Sequence, residues 1–258
     1  MTSVIRTIAD WRAESKRLLN ATVGFVPTMG ALHAGHQSLV ERSLRENDVT
    51  VVSIFVNPTQ FNDKSDFERY PRNDAQDIEL LKKLGVHYVF MPGYQDLYPE
   101  GFTVRVVENE ISRVMEGASR PGHFDGVLTV VMKLLSIVRP YRAYFGEKDY
   151  QQFLLIKKMA DAFFLPVEII PCTTIRDADG LALSSRNVLL STEERAKAAL
   201  FPQILKTSAT VILAAQKLEQ AGFSVDYVEE AWDRRFGAVR LGKVRLIDNF
   251  PLASIIKP

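Results

Sequence analysis

Two histidines three residues apart, His33 and His36, stand in the run Pro27-Thr28-Met29-Gly30-Ala31-Leu32-His33-Ala34-Gly35-His36. The run follows a short apolar segment and precedes a helical pattern. Glycines at 30 and 35 let the backbone turn tightly and approach a ligand. A helix start adds unpaired amides and the positive end of the macrodipole, which suits a phosphate. Both imidazoles would face that site and could donate N–H bonds to phosphate oxygens. A pair of surface histidines in a turn is the plain alternative, and the position between strand and helix argues against it. A zinc site is the other. The chain has four histidines, and neither His87, inside a strand pattern, nor His123 offers an obvious third ligand.

Three further segments could carry chemistry. Phe55-Val56-Asn57-Pro58-Thr59-Gln60-Phe61 follows an apolar run, and its amides, Asn57 and Gln60, suit a small polar molecule with hydroxyl and carboxylate groups. Standing alone, this would read as a polar turn set by Asn57-Pro58. In Gly146-Glu147-Lys148-Asp149-Tyr150-Gln151-Gln152, Gly146 permits close approach and Lys148 can reach a phosphate from a helix start. Asp149 could cap that helix, and Gln152 lies one turn inside it. In Ile175 to Asn187, Leu183-Ser184-Ser185-Arg186 groups two hydroxyls and a guanidinium, donors that suit a polyphosphate. This run resembles the Lys-Met-Ser-Lys-Ser lid of class I aminoacyl-tRNA synthetases, which is also paired with a His-x-Gly-His turn. No Walker loop or nucleophilic triad is present. Together the segments converge on ATP and a small polar acid, with a carboxylate attacking the α-phosphate through positioning and charge neutralisation.

Around these loops, β-branched runs alternate with helical spacing. Strand patterns cover Thr22–Val26, Val49–Val56, Val86–Phe90, Ala143–Phe145 and Val167–Cys172. Helical patterns cover Gln37–Glu46, Asp74–Leu84, Gly126–Val138 and Tyr150–Phe163, and Met1–Asn20 reads as an amphipathic helix. The alternation predicts a doubly wound parallel sheet in an α/β domain, with ligands beyond the carboxyl ends of the strands. After about Thr173 a long helix, Thr192–Gln220, and two strands, Ser224–Glu229 and Ala238–Ile247, predict a small α+β unit. The expected domains are 1–173 and 174–258.

Of the 258 residues 47% are hydrophobic and 24% charged, and the formal net charge is +1, so bulk charge offers nothing to a nucleic acid. The single cysteine, Cys172, excludes an intrachain disulfide and reads as a buried thiol. No secretory signal or membrane-spanning run appears, and a cytoplasmic protein is expected.

The runs Pro27–His36, Phe55–Phe61, Tyr70-Pro71-Arg72, Glu116–Phe124, Gly146–Asp149, Ser184–Asn187 and Arg245–Asn249 resemble, in order and over nearly the whole chain, the pantothenate synthetase family. That family belongs to the His-x-Gly-His nucleotidyltransferase superfamily. The resemblance implies a Rossmann-like domain with a C-terminal lid domain. It implies a homodimer that joins pantoate to β-alanine through a pantoyl adenylate, releasing AMP and pyrophosphate. By the family's pattern Met29, Gly30, Ala31, Leu32, His33, Ala34, Gly35 and His36 line the ATP site. Gly146, Glu147, Lys148, Asp149, Ile175, Leu183, Ser184, Ser185 and Arg186 complete it. Gln60 and Gln152 hold pantoate, with Asn57, Pro27 and Thr28 beside them. His36 is the proton donor, and His33, Lys148 and Arg186 brace the phosphates. Magnesium accompanies ATP, and Asp77 matches an acidic position near it. Two departures stand out: Gln76 replaces a second acid of some relatives, and the C-terminal region looks about twenty residues short between Tyr227 and Ala238, a change in lid size rather than chemistry. The rival expectations are a nucleotidyltransferase acting on a phosphate ester, against which the uncharged amides argue, and a non-catalytic ATP-binding module, against which Ser184-Ser185-Arg186 argues.

Overall fold

The structure, a computed structural model, describes residues 2–255. The chain divides into two compact units, residues 1–147 with 151–172, and residues 148–150 with 173–258.

The first unit is built on six strands: β1 (Ser3–Ile5), β2 (Val23–Thr28), β3 (Val49–Ile54), β4 (Tyr88–Phe90), β5 (Arg142–Gly146) and β6 (Glu168–Cys172). Their order is β1-β4-β3-β2-β5-β6, and every pairing is parallel. The register of β2 on β3 runs from Val23 opposite Val49 to Thr28 opposite Ile54. Near-continuous apolar runs form these strands because both sheet faces are covered. Val26, Val52, Val89 and Tyr144 are fully buried in one cluster with Val40 and Leu81. Pro27 can sit in β2 because pairing with β5 covers only Gly24 and Phe25, so its missing N–H falls where one neighbour has ended. Cys172 is buried, as expected, and burial pushes its thiol up despite the nearby Arg42.

The helices of this unit are α1 (Ile8–Ser15), α2 (Ala34–Glu46), α3 (Lys64–Arg69), α4 (Asp74–Lys83), α5 (Tyr94–Leu97), α6 (Glu116–Ser119), α7 (His123–Val138) and α8 (Tyr150–Ala162). From β2 the chain builds outward through β3 to β4, then returns to the other side of β2 with β5. The reversal makes the β2/β5 boundary the switch point, where a crevice opens beyond the strand ends. Two of the candidate loops, those after β2 and β5, leave from there.

The second unit carries α9 (Thr192–Ala198), α10 (Leu200–Thr207), α11 (Val211–Gln220) and the antiparallel meander β7 (Ser224–Ala231), β8 (Arg234–Leu241) and β9 (Val244–Pro251). Its core gathers Leu181, Phe201, Leu205, Leu218, Val239 and Leu246.

Several expectations are corrected. The amphipathic stretch of Met1–Asn20 is not one helix: β1 precedes α1, whose start is fixed by Thr7 Oγ1 accepting from Asp10 N at 3.1 Å, and Met1 lies outside the described residues. The long helix 192–220 is three helices. Pro202 falls in the first turn of α10, where its missing N–H leaves no gap, and Thr210 Oγ1 caps α11 by accepting from Leu213 N. The two C-terminal strands are three, because Ala238–Ile247 spans the turn between β8 and β9. Between Tyr227 and Ala238 the chain is a tight hairpin whose turn residues, Trp232 and Asp233, both have positive φ, 48° and 55°.

Candidate active site

The turn after β2 is shaped by three sets of bonds. Thr28 Oγ1 donates to Ser53 O at 2.7 Å and accepts from Gly30 N at 3.2 Å, which ends the strand. Gly30 and Ala31 then take positive φ, 78° and 50°. Asp77, only 4% exposed in the first turns of α4, holds that strained pair: its carboxylate accepts from Ala31 N at 2.7 Å and Leu32 N at 2.9 Å. Burial pushes the Asp77 carboxyl above the usual carboxylate range, against the pull of those two amides.

Helix α2 begins at Ala34, three residues earlier than the periodicity shows, because His33 is its N-cap. His33 Nδ1 accepts from Gly35 N at 3.1 Å, and His36 Nδ1 accepts from His33 N at 3.4 Å. The rings lie 4.1 Å apart between centroids. An imidazole nitrogen that accepts carries no hydrogen, so each neutral ring bears its N–H at Nε2. The backbone thus selects, in both histidines, the tautomer whose outer nitrogen is a donor.

The loop after β3 is built from within. Asn57, 1% exposed, donates Nδ2 to Gln60 Oε1 at 3.1 Å and to Gly126 O at 3.2 Å. Its Oδ1 accepts from Tyr98 OH and Thr59 Oγ1, each at 3.0 Å. Burial pushes the Tyr98 phenol up to about 12, so it stays a donor. Both amide hydrogens and the oxygen of Asn57 are engaged inside the protein, which makes it a support for Gln60 rather than a ligand contact. The Thr28 hydroxyl is engaged in the same way. Gln60 Nε2 reaches Met29 Sδ at 3.1 Å, so the turn after β2 and the loop after β3 meet side chain to side chain.

In the first turn of α8 the neighbouring glutamines differ. Gln151 is buried and bonded to Glu116 N, Ile111 O and Val114 O. The Gln152 side chain is half-buried and makes no hydrogen bond among the described residues. Gly146, ending β5, has open space where a Cβ would stand, and Glu147 follows it.

Asp77 does not fit a magnesium ligand set. Both its oxygens are engaged by amides, and among the described residues no group of three or more His, Cys, Asp or Glu could hold a metal ion. The two histidines outside the turn are engaged as well. His87 Nδ1 accepts from Thr50 N, and burial lowers its pKa, while His123 lies against Gln60 O.

The remaining candidates belong to the second unit. Lys148 and Asp149, expected in the first domain, group there because Asn249 Nδ2 donates to Lys148 O at 2.9 Å and Arg234 stacks over the Tyr150 ring at 4.3 Å. Lys148 Nζ lies 3.7 Å from Asp149 Oδ1. Ile175 to Leu183 forms a hairpin closed by Leu183 N donating to Ile175 O and Asp177 N to Leu181 O. Arg176 anchors it through two bonds, 2.6 and 2.8 Å, to the fully buried carboxylate of Asp248. Burial pushes Asp248 up, against the nearby Arg176. Ser184 Oγ then accepts from Arg186 N at 3.3 Å and opens the short helix Ser185–Leu189.

Sequence reasoning gave no part to Arg120, His123 or Tyr98, and took Asp77 for a metal position. Arg120 and His123 lie in a recognised run, but their partner, the carbonyl of Gln60, is not visible in any spacing.

Comparison with known proteins is consistent across the whole chain. The sequence pattern of the pantoate–β-alanine ligase family matches residues 3–251. Pantothenate synthetase of Bdellovibrio bacteriovorus is 51% identical over 249 residues, covering 96% of this chain and 99% of that one. A Coxiella burnetii pantothenate synthetase is 51% identical over 98% of both chains. The crystal structure of the Francisella tularensis pantoate–β-alanine ligase, complexed with β-γ ATP and β-alanine, superposes with a TM-score of 0.94 at 44% identity, covering 97% of this chain and 98% of that one. Because these relatives are matched over 98–99% of their own length, the expected shortening of the C-terminal region is absent relative to them.

Proposed function

The chain belongs to the pantoate–β-alanine ligase family, and on that premise we propose that it joins pantoate to β-alanine with cleavage of ATP to AMP and pyrophosphate. The observation that carries the reading is the turn after β2, where a clamped backbone and two Nε2–H imidazoles occupy the start of a 13-residue helix. Such fixed donors favour the charge that gathers on a pyrophosphate leaving group.

In this reading a pantoate carboxylate oxygen attacks the α-phosphorus, and the bond to the bridging oxygen breaks to release pyrophosphate. The amine of β-alanine then attacks the acyl carbon of the pantoyl adenylate, losing a proton and expelling AMP. His36 and His33 donate toward the departing phosphates. Lys148, Ser184, Ser185 and Arg186, with Asp149, Ile175 and Leu183 around them, are assigned to the nucleotide by residue type and by the family's pattern. Gln152, whose amide makes no hydrogen bond among the described residues, and Gln60, held by Asn57, are assigned to pantoate beside Pro27. Magnesium comes with ATP, and no step runs through Asp77. A cytoplasmic homodimer goes with this reading.

The test is product analysis with pantoate, β-alanine and ATP supplied singly and together. AMP and pyrophosphate should both form with pantoate and β-alanine present, whereas pantoate alone should give pyrophosphate in one turnover with the AMP retained in the pantoyl adenylate. ADP and inorganic phosphate as first products would overturn the adenylate route.

A further inference from the structure

Two side chains with no role so far converge on one carbonyl. His123, 7% exposed at the start of α7, places Nδ1 2.8 Å from Gln60 O. Arg120 Nη2 donates to the same oxygen at 3.2 Å. A carbonyl only accepts, so His123 Nδ1 carries the hydrogen, the opposite tautomer to that of His33 and His36. Its neutral ring then has a lone pair at Nε2, and Arg120 Nη1 lies 3.0 Å away to fill it. Arg120 in turn lies 3.8 Å from a Glu116 carboxylate oxygen. The Glu116 amide donates to Gln151 Oε1 at 3.1 Å, and Gln151 Nε2 donates to Ile111 O and Val114 O. Gln151 adjoins Gln152. Linked contacts therefore run from the backbone of one candidate pantoate glutamine to the helical turn that carries the other. The start of α7 also presses on the loop: a Cβ at Gly126 would stand 2.3 Å from Thr59 O.

We propose that Arg120 and His123 are positioning residues for the acid substrate. They fix the Gln60 backbone, so that the Gln60 and Gln152 amides meet one hydroxy acid at a set separation. The proposal rests on the assignment of those glutamines to pantoate, and it adds a determinant of acid affinity that touches no substrate. The backbone of the turn after β2 is held by its own bonds to Asp77 and Thr28, and the Gln60 contact with that turn is to the Met29 side chain. Loss of the relay should therefore act on pantoate and spare ATP.

The experiment measures AMP formation by the full chain with pantoate and ATP varied separately, for wild type, Gln60→Ala, His123→Ala, His123→Asn and Arg120→Lys. Asparagine keeps an N–H near the place of Nδ1 and can still meet the carbonyl. His123→Ala should raise KM for pantoate about tenfold, the scale of one lost hydrogen bond in a desolvated site, and leave KM for ATP within about twofold. His123→Asn should recover most of that loss, and Arg120→Lys should raise the pantoate KM alone. Equal rises in both KM values, or His123→Asn no better than His123→Ala, would overturn the proposal. If His123→Ala fails to fold, His123→Asn and Arg120→Lys decide: a pantoate KM unmoved by Arg120→Lys refutes the relay. A Gln60→Ala variant with normal pantoate KM gives a different pattern, and removes the acid-pocket assignment itself.

Discussion

The turn after β2 and the hairpin that ends in Ser184-Ser185-Arg186 present similar donors by different means. Each uses a side-chain cap: His33 Nδ1 accepts from Gly35 N, and Ser184 Oγ from Arg186 N. The hairpin spreads its support. Backbone bonds close it, Arg176 pairs with Asp248 behind it, and Arg195 reaches both Asp177 and Asp179 at its tip. The turn concentrates its support. Past Gly30, whose N–H the Thr28 hydroxyl accepts, the amides of Ala31 and Leu32 depend on one carboxylate from α4. A concentrated support fixes atoms closely, as a transition state demands, and fails at a single point. A distributed one tolerates the loss of any one contact.

The largest effect expected on this contrast comes from the turn's own donor. His36 both accepts from His33 N and carries the Nε2–H, and two substitutions separate these roles. His36→Ala loses both. His36→Asn keeps an acceptor near Nδ1 and loses the donor. Each should slow adenylate formation in a single turnover by about a hundredfold to a thousandfold, the typical scale for one transition-state donor. Attack of β-alanine on supplied pantoyl adenylate should change much less, because pyrophosphate has already left. A normal rate for His36→Asn would show that the cap, not the donor, matters.

Much of this contrast was legible in the sequence, and the part that was not has a consistent physical character. Strands such as Val49–Ile54 announce themselves, since a strand buried on both faces must be apolar throughout. The three-residue β1 carries too few residues to show any period. The breaks within 192–220 leave the polar pattern intact, and only Pro202 and the Ser208-Ala209-Thr210 cap mark them. At the site, His33, His36, Gln60 and Arg186 stood out because strand-to-helix turns and amides next to apolar runs are local signals. Asp77 and Asn57 stand out as a residue near magnesium and one beside the substrate, and the structure adds protein partners for both that the sequence does not show. Their bonds reach Ala31, Leu32 and Gly126, 45 to 69 residues away, and a partner at that distance leaves no trace in spacing.

The next effect tests concentration of support directly. Asp77→Asn preserves shape but turns an amide NH2 toward a backbone N–H, so one of the two loop amides loses its acceptor. This should cost about 1–3 kcal/mol of stability, read by urea unfolding at neutral pH, and raise KM for ATP. Acidity sharpens the test. Burial raises the Asp77 pKa, so the folded protein binds a proton that the unfolded chain has already lost as pH rises past the ordinary carboxylate value. Its stabilising contribution is full at low pH and falls as pH climbs through the raised pKa. The stability gap between wild type and Asp77→Asn should therefore be wider near pH 4 than at pH 7. A gap that widens with pH would mean that the ionised carboxylate is the favoured form, and that the two amides outweigh burial.

The smallest effect compares a glycine from each region. Gly30 has φ +78°, and a Cβ there would stand 2.9 Å from Asp77 Oδ2, the atom that holds Ala31 N. Gly180, at the tip of the hairpin, has φ +88° with nothing within 4 Å of the same position. Alanine at either site incurs the left-handed backbone penalty of about 1–2 kcal/mol. Only at Gly30 must a functional contact also give way. The two variants should therefore melt at similarly lowered temperatures, with Gly30→Ala somewhat lower. Their kinetics should separate them: Gly180→Ala should keep KM for ATP near the wild-type value, because Arg176 and Arg195 still hold the hairpin, while Gly30→Ala should raise it. If Gly180→Ala raises KM for ATP as much as Gly30→Ala does, the hairpin is no more tolerant than the turn. The contrast between distributed and concentrated support would then fail at its most direct point.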